Sequence, residues 1–398
     1  MHIDVNNAFL SWTAVDLLQK GAKYDIRGSY AVIGGDEDKR RGIIVAKSMP
    51  CKKLGIKTAD TLYSARKKCP ALKTYPADYS LYKKMSNSLF TYISQYSPDI
   101  EILSIDECFL DYTSVQKLYG NPISFAHKLK DEIYQKLGFT VNIGIGENKL
   151  CAKMASDFEK PNKVHTLFKE EIETKLWPLE VGKLYGVGKR STEKLKQLGI
   201  ETIFDLAHAD ENILYKYFKN NAHHFIASAN GINQEEVVTE NREAKGISNS
   251  TTLEKDYTNL EEINKVLLSL SENVVLALQK EGKYASTVAV QVKDKFFKSS
   301  SHQQKLPNAV NTSKEVYEIS KKLLKEFWRG EPIRLLGIRL DNLVRKPSYQ
   351  VSLFEKIEEV EEEKALESTV TELKQKYGSA IIKKGSLTDR KISKKYNE

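Results

Sequence analysis

Two adjacent acids, Asp106 and Glu107, stand in the stretch SIDECFLDYT, which otherwise has the apolar pattern of a β-strand. Successive strand side chains point to opposite faces, so one of the two charges would enter the core at high cost unless it is compensated. A hairpin turn at the pair would direct both carboxylates to one site, and a divalent cation there would neutralise them. The pattern therefore predicts a metal site at these two residues.

A third acid, Asp4, lies between Ile3 and Val5 in the short apolar strand HIDV. If this strand neighbours the Asp106 strand in one sheet, three carboxylates converge. Such a set can hold two Mg²⁺ ions roughly 3.5 to 4 Å apart, an arrangement used for in-line phosphoryl transfer. The alternative is three ordinary surface acids, which spacing alone does not exclude.

The elements that must position these acids alternate between strands and helices in the first half of the chain, which is typical of an α/β or α+β fold. Helical spacing runs from Ala8 to Lys20, and EILSIDECFLDYT has the pattern of a hairpin. Short helices follow near Trp177, and the polar stretch 231–246 indicates a linker. The pattern after it is strand, helix, strand, strand, helix, strand. In STVAVQVKD the valines would form one packing face and leave the other face for a polar partner.

The composition limits the class of protein. A chain of 398 residues is expected to form about two to four domains. The net charge of +9 is uneven, because residues 39–73 contain eleven Lys or Arg and one acid, Asp60. Such a segment attracts polyanions such as nucleic acid, although a solvated basic surface would have the same composition.

Membrane, secretory and zinc-binding classes are not favoured. The apolar runs are short and interrupted, so no membrane span is expected. The opening MHIDVNN lacks a basic segment followed by an apolar stretch, so we expect no secretory signal. The four cysteines form no CxxC pair and accompany no His cluster at zinc-ligand spacing, which favours free thiols and a cytoplasmic location.

Three blocks resemble the signature blocks of the Y-family translesion DNA polymerases: HIDVNNAF at 2–9, SIDECFLD at 104–111 and NIGIGENKLCAKMASDFEKPN at 142–162. The resemblance extends to about residue 346. It implies an α+β, multidomain, right-hand polymerase with a ferredoxin-like palm, small fingers, a helical thumb with a helix-hairpin-helix, and an α+β little finger. The implied boundaries are palm 1–9 and 75–167, fingers 10–74, thumb 168–235, linker 236–245, little finger 246–346 and a flexible tail 347–398.

The resemblance also implies roles for single residues. Asp4, Asp106 and Glu107 would be catalytic metal ligands for two Mg²⁺ ions, with the backbone carbonyl of Val5 as a further ligand. Phe9 would exclude a 2′-hydroxyl, although without the motif it reads as a core aromatic. Amides at a helix N-terminus and nearby cations would bind the triphosphate. This nucleotide-binding set is Asn6, Asn7, Ala8, Phe9, Ser48, Lys52, Lys153 and Lys160. Met49 stands where many relatives have Tyr, so Ser48 or water is expected to replace that hydroxyl.

Three further segments point to DNA and a sliding clamp. LYGVGKRSTEKLKQLGI resembles a helix-hairpin-helix, although a glycine-containing helix turn would read alike, and the region 246–346 resembles the little finger. QVSLF resembles the bacterial clamp-binding peptide, an extended segment that places its last two apolar residues in a pocket. The residues assigned to these contacts are Gly186, Gly188, Lys189, Arg190, Lys293, Lys295 and Arg339 for DNA, and Gln350, Leu353 and Phe354 for the clamp.

The function implied is template-directed addition of dNTPs to a primer 3′ end, with low fidelity and bypass of damaged bases, by a cytoplasmic monomer. Length and tail favour the DNA polymerase IV branch, whereas Asn6, where that branch usually has Asp, is shared with the DNA polymerase V branch. Two other classes stay open. One is a catalytically inactive, clamp-tethered DNA-binding repair factor, and the other is a palm-type nucleotidyl cyclase.

Overall fold

The computed structural model describes residues 1–35, 42–239 and 243–345, and in the tail residues 369–370, 372–373, 376–378 and 381–382. Contacts divide the chain into two compact units, the first with the described residues through 239 and the second with those from 243. The strands of the first unit are β1 (His2–Val5), β2 (Ala31–Gly34), β3 (Ile44–Lys47), β4 (Lys73–Pro76), β5 (Ile100–Ile102), β6 (Glu107–Leu110), β7 (Val141–Gly146) and β8 (Val164–Leu167).

The helices of the first unit are α1 (Ala8–Gln19), α2 (Met49–Lys53), α3 (Leu62–Lys68), α4 (Tyr79–Ile93), α5 (Gln116–Tyr119), α6 (Pro122–Leu137), α7 (Lys149–Asp157), α8 (Lys189–Gln197), α9 (Ile203–Ala207), α10 (Glu211–Phe218) and α11 (Asn221–Ala229). Single 3₁₀ or π turns span Ile26–Gly28, Lys169–Glu171, Ile172–Leu176 and Val181–Lys183. The second unit contains β9 (Gly246–Tyr257), α12 (Leu260–Lys280), β10 (Tyr284–Asp294), β11 (Ser299–Val310), α13 (Ser313–Phe327) and β12 (Ile333–Val344).

Strand β1 lies at the centre of a five-stranded sheet with the order β5-β6-β1-β7-β8. Its neighbours pair antiparallel, and only β7 and β8 are parallel. Without the edge strand β8, the order of strands and helices is β-α-β-β-α-β, which is a ferredoxin-like arrangement with a small sheet inserted after α1. The ferredoxin-like prediction is confirmed.

The two faces of this sheet differ in chemistry because strand side chains alternate. Ile3 and Val5 of β1 are buried in a core that includes Trp12, Tyr82 and Phe139 on or beside the helices of one face. The residue between them, Asp4, points to the opposite face. A strand of only four residues therefore both anchors the core and presents an acid.

Helix α7 lies directly against β7 because two glycines allow the approach. A Cβ atom on Gly144 would lie 2.0 Å from the carbonyl oxygen of Ala152, and one on Gly146 would lie 2.6 Å from the Cβ of Cys151. Only glycine permits such contact between backbones. The helix is thereby held over the sheet face that carries the acids.

The first unit has three further cores, one of which lies between α1 and the inserted sheet. The inserted sheet has the order β3-β2-β4 and packs with α2 and α3 around buried residues such as Val32 and Ile44. Helices α8 to α11 surround a separate core that includes Leu195, Leu206 and Leu214. The short helices expected after Trp177 are therefore present.

Residues 232–239 form no helix or strand, yet a buried ion pair holds them against the five-stranded sheet. Nζ of Lys149 lies 2.7 Å from Oε2 of Glu101 and 3.4 Å from the carbonyl oxygen of Glu236. The same Oε2 accepts the amide hydrogen of Val238 at 2.9 Å. The side chains of the pair are only 9% and 13% exposed. Polar composition predicts a linker here but gives no sign of this anchor, which is a long-range contact.

Replacing Lys149 by Met should lower the free energy of unfolding by about 3 kcal/mol, because Glu101 would stay buried without its cation. Residues 235–238 should then detach, and Glu-C protease should cleave after Glu235 and Glu236 more quickly. Urea unfolding and limited proteolysis measure the two effects. The double variant Lys149→Met, Glu101→Gln keeps an acceptor for Val238 and should recover part of the stability. Cleavage at the parental rate in the single variant would disprove the anchor.

The second unit is a four-stranded antiparallel sheet with the order β11-β10-β12-β9. Helices α12 and α13 share its core with Val288, Val290 and Ile338, so the predicted packing face of β10 is confirmed. The register places Ala289 opposite Arg339, so Arg339 shares the other face with Lys293.

The free thiols predicted for the cysteines are present. All four cysteines are buried and free of disulfide bonds. Among the described ranges, no helix has both the length and the apolar character needed to cross a membrane.

Candidate active site

Three predicted acids meet where β1 ends and β6 begins. Asp4 and Glu107 are opposite each other in the antiparallel register of the two strands. Asp106 belongs to the turn between β5 and β6, and its carbonyl oxygen accepts the amide hydrogen of Val5 at 3.0 Å. The predicted hairpin with a turn at the acidic pair is confirmed. It brings together carboxylates that are about a hundred residues apart in the sequence.

Two lysines neutralise two of these acids, Asp4 and Glu107. Nζ of Lys153, on α7, lies 2.7 Å from Oε2 of Glu107 and 3.6 Å from Oδ2 of Asp4. Nζ of Lys160 lies 2.9 Å from Oδ1 of Asp4. Asp157 contacts both ammonium groups, at 3.5 Å and 2.8 Å. Asp4 and Glu107 are therefore charge-compensated by cations on long side chains.

The two neighbouring acids have pKa values shifted in opposite directions. Contact with the His2 imidazole, and then the nearby Lys153 ammonium, lowers the pKa of Glu107 to about 2, although burial opposes them. Burial raises the pKa of Asp106, and the charges of Asp4 and Glu107 raise it further, against a 2.6 Å hydrogen bond from the Ser104 hydroxyl. Glu107 is thus a stable carboxylate, whereas Asp106 carries the unfavourable charge of the cluster.

His2 contacts Glu107 from the buried side of the acidic cluster. The imidazole is fully buried, with Nδ1 2.8 Å from the Ser156 hydroxyl. Nε2 approaches Oε2 of Glu107 to 3.3 Å without the alignment of a good hydrogen bond. Burial lowers the pKa of His2, so the neutral ring is favoured.

The donor set suits a hard divalent cation. Carboxylate oxygens are the ligands that Mg²⁺ prefers, and the raised pKa of Asp106 reflects a crowding of negative charge that a cation would relieve. In the part of the chain that the structure describes, no group of three or more His, Cys, Asp or Glu side chains is arranged to hold an ion. The side chains of Asp4 and Glu107 face lysines instead. Metal binding would require these lysines to move aside.

The prediction that the amide of Asn6 is available to a triphosphate is wrong. Its N–H donates to the carbonyl of Thr140 at 2.9 Å, in continuation of the sheet. Its side chain donates to Asn142 at 3.0 Å and accepts the amide hydrogen of Asn162 at 2.8 Å. Asn6 therefore joins the end of β1 to β7 and to the loop beyond Lys160.

The remaining predicted phosphate donors lie at the start of α1. Asn7 precedes the helix with φ of 52°, and its side chain donates to the carbonyl of Lys47 at 2.8 Å. The first amides of a helix have no intrahelical acceptor, so Ala8 and Phe9 begin a segment suited to anions. The Phe9 ring stacks on Tyr82 with centroids 4.4 Å apart and planes 8° apart. This partly buried ring is held in one orientation.

The prediction that the Ser48 hydroxyl contacts the triphosphate is also wrong. Its side chain is fully buried, and Oγ accepts the amide hydrogens of Cys51 at 3.3 Å and Ala31 at 3.4 Å. The hydroxyl caps α2 and is not available to replace the Tyr that many relatives carry at Met49. Lys52, one turn along the same helix, is exposed.

Comparison with known proteins decides the family. A model of the impB/mucB/samB family matches residues 3–157, that of its C-terminal domain matches 244–353, and that of the IMS family HHH motif matches 169–200. DNA polymerase IV of Clostridium acetobutylicum is 43% identical over 98% of both chains. DNA polymerase IV 2 of Bacillus subtilis is 33% identical over 93% of this chain and 92% of its own. The chain belongs to this family, the Y family of DNA polymerases.

Solved structures agree with this Y-family assignment at the level of the fold. A chimera of the Y-family polymerases Dbh and Dpo4 has a TM-score of 0.75 and 24% identity, over 87% of this chain and 99% of its own. The predicted α+β class is confirmed, and the chain is DNA polymerase IV-like, since the similar proteins from both organisms carry that name. The activity is DNA-directed DNA polymerisation of the translesion type.

The predicted DNA contacts of this Y-family polymerase lie in three places. Gly186 has φ of 90° with open space around its Cβ position, and Gly188 precedes α8. Lys189 and Arg190 form the exposed first turn of that helix. In the second unit Lys293 and Arg339 share one sheet face, Lys295 lies in the turn after β10, and Arg339 pairs with Asp341 at 2.7 Å. The predicted clamp residues Gln350, Leu353 and Phe354 lie outside the described residues.

Sequence reasoning missed four residues that support the site: His2, Asn142, Ser156 and Asp157. For two of them the sequence contains a pattern that would have predicted a place at the site. His2 precedes Asp4 by two positions and so shares its strand face. Asp157 follows Lys153 by four positions on one helix, the spacing of a favourable ion pair. The other two are reached only through contacts that the fold creates.

Proposed function

We propose that this Y-family polymerase transfers nucleotides at Asp4, Asp106 and Glu107. The primer 3′-hydroxyl oxygen attacks the α-phosphorus of a dNTP and a new O–P bond forms. The bond from that phosphorus to the β-phosphate oxygen breaks, pyrophosphate leaves, and the hydroxyl proton passes to solvent. The observation that carries this assignment is the convergence of three acids, two from paired strands and one from the adjoining turn, with two lysines.

Two Mg²⁺ ions are the proposed cofactors, held by the three acids and the backbone carbonyl of Val5. Bound there, they would lower the pKa of the attacking hydroxyl and stabilise the charge that develops on the phosphates. Asp106, with its raised pKa, would contribute the oxygen whose charge is least compensated in the metal-free protein.

The two lysines have a proposed second role. If cations were bound at the acids, Lys153 and Lys160 would be free to contact the triphosphate, whose oxygens are negatively charged like those of the carboxylates. Asp157 contacts both ammonium groups and would keep them near the site during this exchange. Lys52 and the amides of residues 7–9 would complete the phosphate contacts.

We assign sugar selection to Phe9, whose ring is fixed by its stacking on Tyr82. We assign DNA backbone contacts to Gly186, Gly188, Lys189 and Arg190 in the thumb and to Lys293, Lys295 and Arg339 in the little finger, with the domain boundaries given above. Contacts to phosphates hold the duplex in place without reading sequence, which fits an enzyme that copies any template.

Clamp binding through Gln350, Leu353 and Phe354 is part of the proposal, for a monomeric enzyme in the cytoplasm. Replacing Leu353 and Phe354 by Ala should abolish binding to a bacterial sliding clamp, because the apolar anchors of the extended peptide would be lost. Surface plasmon resonance on immobilised clamp measures this loss. Extension of short primers without clamp should stay at the parental rate. Full clamp affinity in the variant would contradict the assignment.

The two alternatives are not favoured. An inactive DNA-binding factor would have no need to retain three converging acids, and a nucleotidyl cyclase would have no need for a helix-hairpin-helix. The relatives named DNA polymerase IV match almost the whole chain, including both regions.

Metal removal tests the proposed function directly. Extension of a labelled primer on a template should stop in excess EDTA and return when Mg²⁺ exceeds the chelator. Because the lysines compensate Asp4 and Glu107, the protein should stay folded in EDTA, which circular dichroism checks. Extension that persists in EDTA after dialysis would refute the metal-dependent mechanism.

A further inference from the structure

The turn between β10 and β11 is organised by a single carboxylate. Oδ1 of Asp294 accepts the amide hydrogens of Phe296 at 2.8 Å and Lys298 at 2.9 Å. The backbone closes the same turn, with the amide of Phe297 donating to the carbonyl of Asp294 at 3.1 Å. Phe297 adopts φ of +65°, a conformation that is costly for a bulky residue. The backbone of this turn is therefore strained at Phe297, and the turn carries two adjacent aromatic rings.

The two rings are exposed and surrounded by positive charge. Phe296 is 79% exposed and Phe297 is 64% exposed, so core packing does not explain them. Nζ of Lys295 lies 5.0 Å from the Phe296 ring centroid, and Cζ of Arg334 lies 4.7 Å from that of Phe297. Residues 293–298 contain three lysines and one acid, Asp294, which is engaged by backbone amides, and Arg334 of β12 adds a fourth cation beside the turn.

We propose that Phe296 and Phe297 form a stacking platform for single-stranded DNA, such as template that has not yet been copied. Every nucleobase offers a π face to an exposed ring, and the surrounding cations attract the phosphates between the bases. The inference deepens the proposed function and rests on it, because it names a substrate segment that the acids do not touch.

Single-stranded DNA matches this surface better than the other candidates. A duplex offers phosphates, but its base faces are already stacked on each other. A second copy of this chain would have to cover four cations with a matching acidic surface. Only a strand with unstacked bases supplies both flat apolar faces and regularly spaced negative charge.

The test compares two DNA probes by fluorescence anisotropy, in EDTA so that catalysis plays no part. One is a labelled primer-template with a single-stranded thymine overhang, and the other is the same duplex with blunt ends. Phe296→Ala should weaken binding to the overhang probe by roughly 5- to 100-fold and leave the blunt probe unchanged. Phe296→Leu keeps the apolar bulk without a π face and should show most of the same loss. Lys295→Gln with Lys298→Gln should instead reduce the salt dependence of binding.

Tyr134→Ala is the matched control, since it removes an aromatic ring that is 52% exposed on α6, outside this turn. It should leave both affinities unchanged. Equal losses on the two probes, no loss on either, or a change only in self-association measured by size-exclusion chromatography would each overturn the proposal. Because binding is read without turnover, failure here is separate from failure of the catalytic assignment, which primer extension measures.

Discussion

Replacing Asp106 by Asn is expected to lower the rate of primer extension by a factor on the order of 10³. The amide is neutral and nearly the same size, so the change removes one negative charge from the proposed cation site. A metal ion contributes several kcal/mol of transition-state stabilisation, and each ~1.4 kcal/mol is tenfold in rate. Single-turnover extension at saturating dNTP and Mg²⁺ measures the effect.

The same substitution should leave the metal-free protein at least as stable as the parent. Burial and the charges of Asp4 and Glu107 raise the pKa of Asp106, so its carboxylate is unfavourable in the native state at neutral pH. Removing that charge should raise the melting temperature slightly in EDTA. Asp111 directly follows β6 of the same hairpin, and Asp111→Asn is the matched control, which should keep full activity. Full activity in Asp106→Asn would refute its assignment as a ligand.

Replacing Phe9 by Ala should make the polymerase accept ribonucleotides roughly 10- to 200-fold more readily relative to deoxyribonucleotides. The ring stands at the start of α1 and is held by stacking on Tyr82, so it offers a fixed steric barrier. Discrimination by a small group against a shaped apolar surface is worth about 1–3 kcal/mol. The ratio of kcat/KM for rNTP and dNTP measures the change.

Two controls separate sugar selection from loss of packing. Phe9→Leu keeps most of the bulk and should change the ratio less than Phe9→Ala. Tyr82→Phe retains the stacked ring and removes only the hydroxyl contact with Thr13, so it should leave the ratio unchanged. An unchanged ratio in Phe9→Ala, with a folded protein, would assign Phe9 to the core alone.

The elements that carry the acids could be predicted because their signals are local. Apolar alternation indicates the strand around Asp4, and the odd placement of Asp106 and Glu107 in an apolar stretch indicates a turn. The same alternation gives the packing face of β10. These inferences use only neighbours in the sequence, and the register of β1 with β6 then follows from burying one face of each strand.

What could not be predicted depends on contacts between distant segments. Asn6 loses its assignment as a phosphate donor because Thr140 and Asn142 lie beside it in the sheet. Ser48 is buried and accepts the amide hydrogen of Ala31 in β2, and Lys149 anchors a segment more than eighty residues later in the chain. The hydrogen-bond partner of each of these polar groups is distant in the sequence, so no local pattern predicts it. Buried polar groups form hydrogen bonds with the groups that the tertiary fold places beside them.

Lys153 and Lys160 give Asp4 and Glu107 of this polymerase counter-charges that belong to the chain itself. Folding therefore does not leave these two partly buried carboxylates without a positive partner. Any cation bound to either acid would have to compete with an ammonium group, so its measured affinity would report the difference between the two interactions.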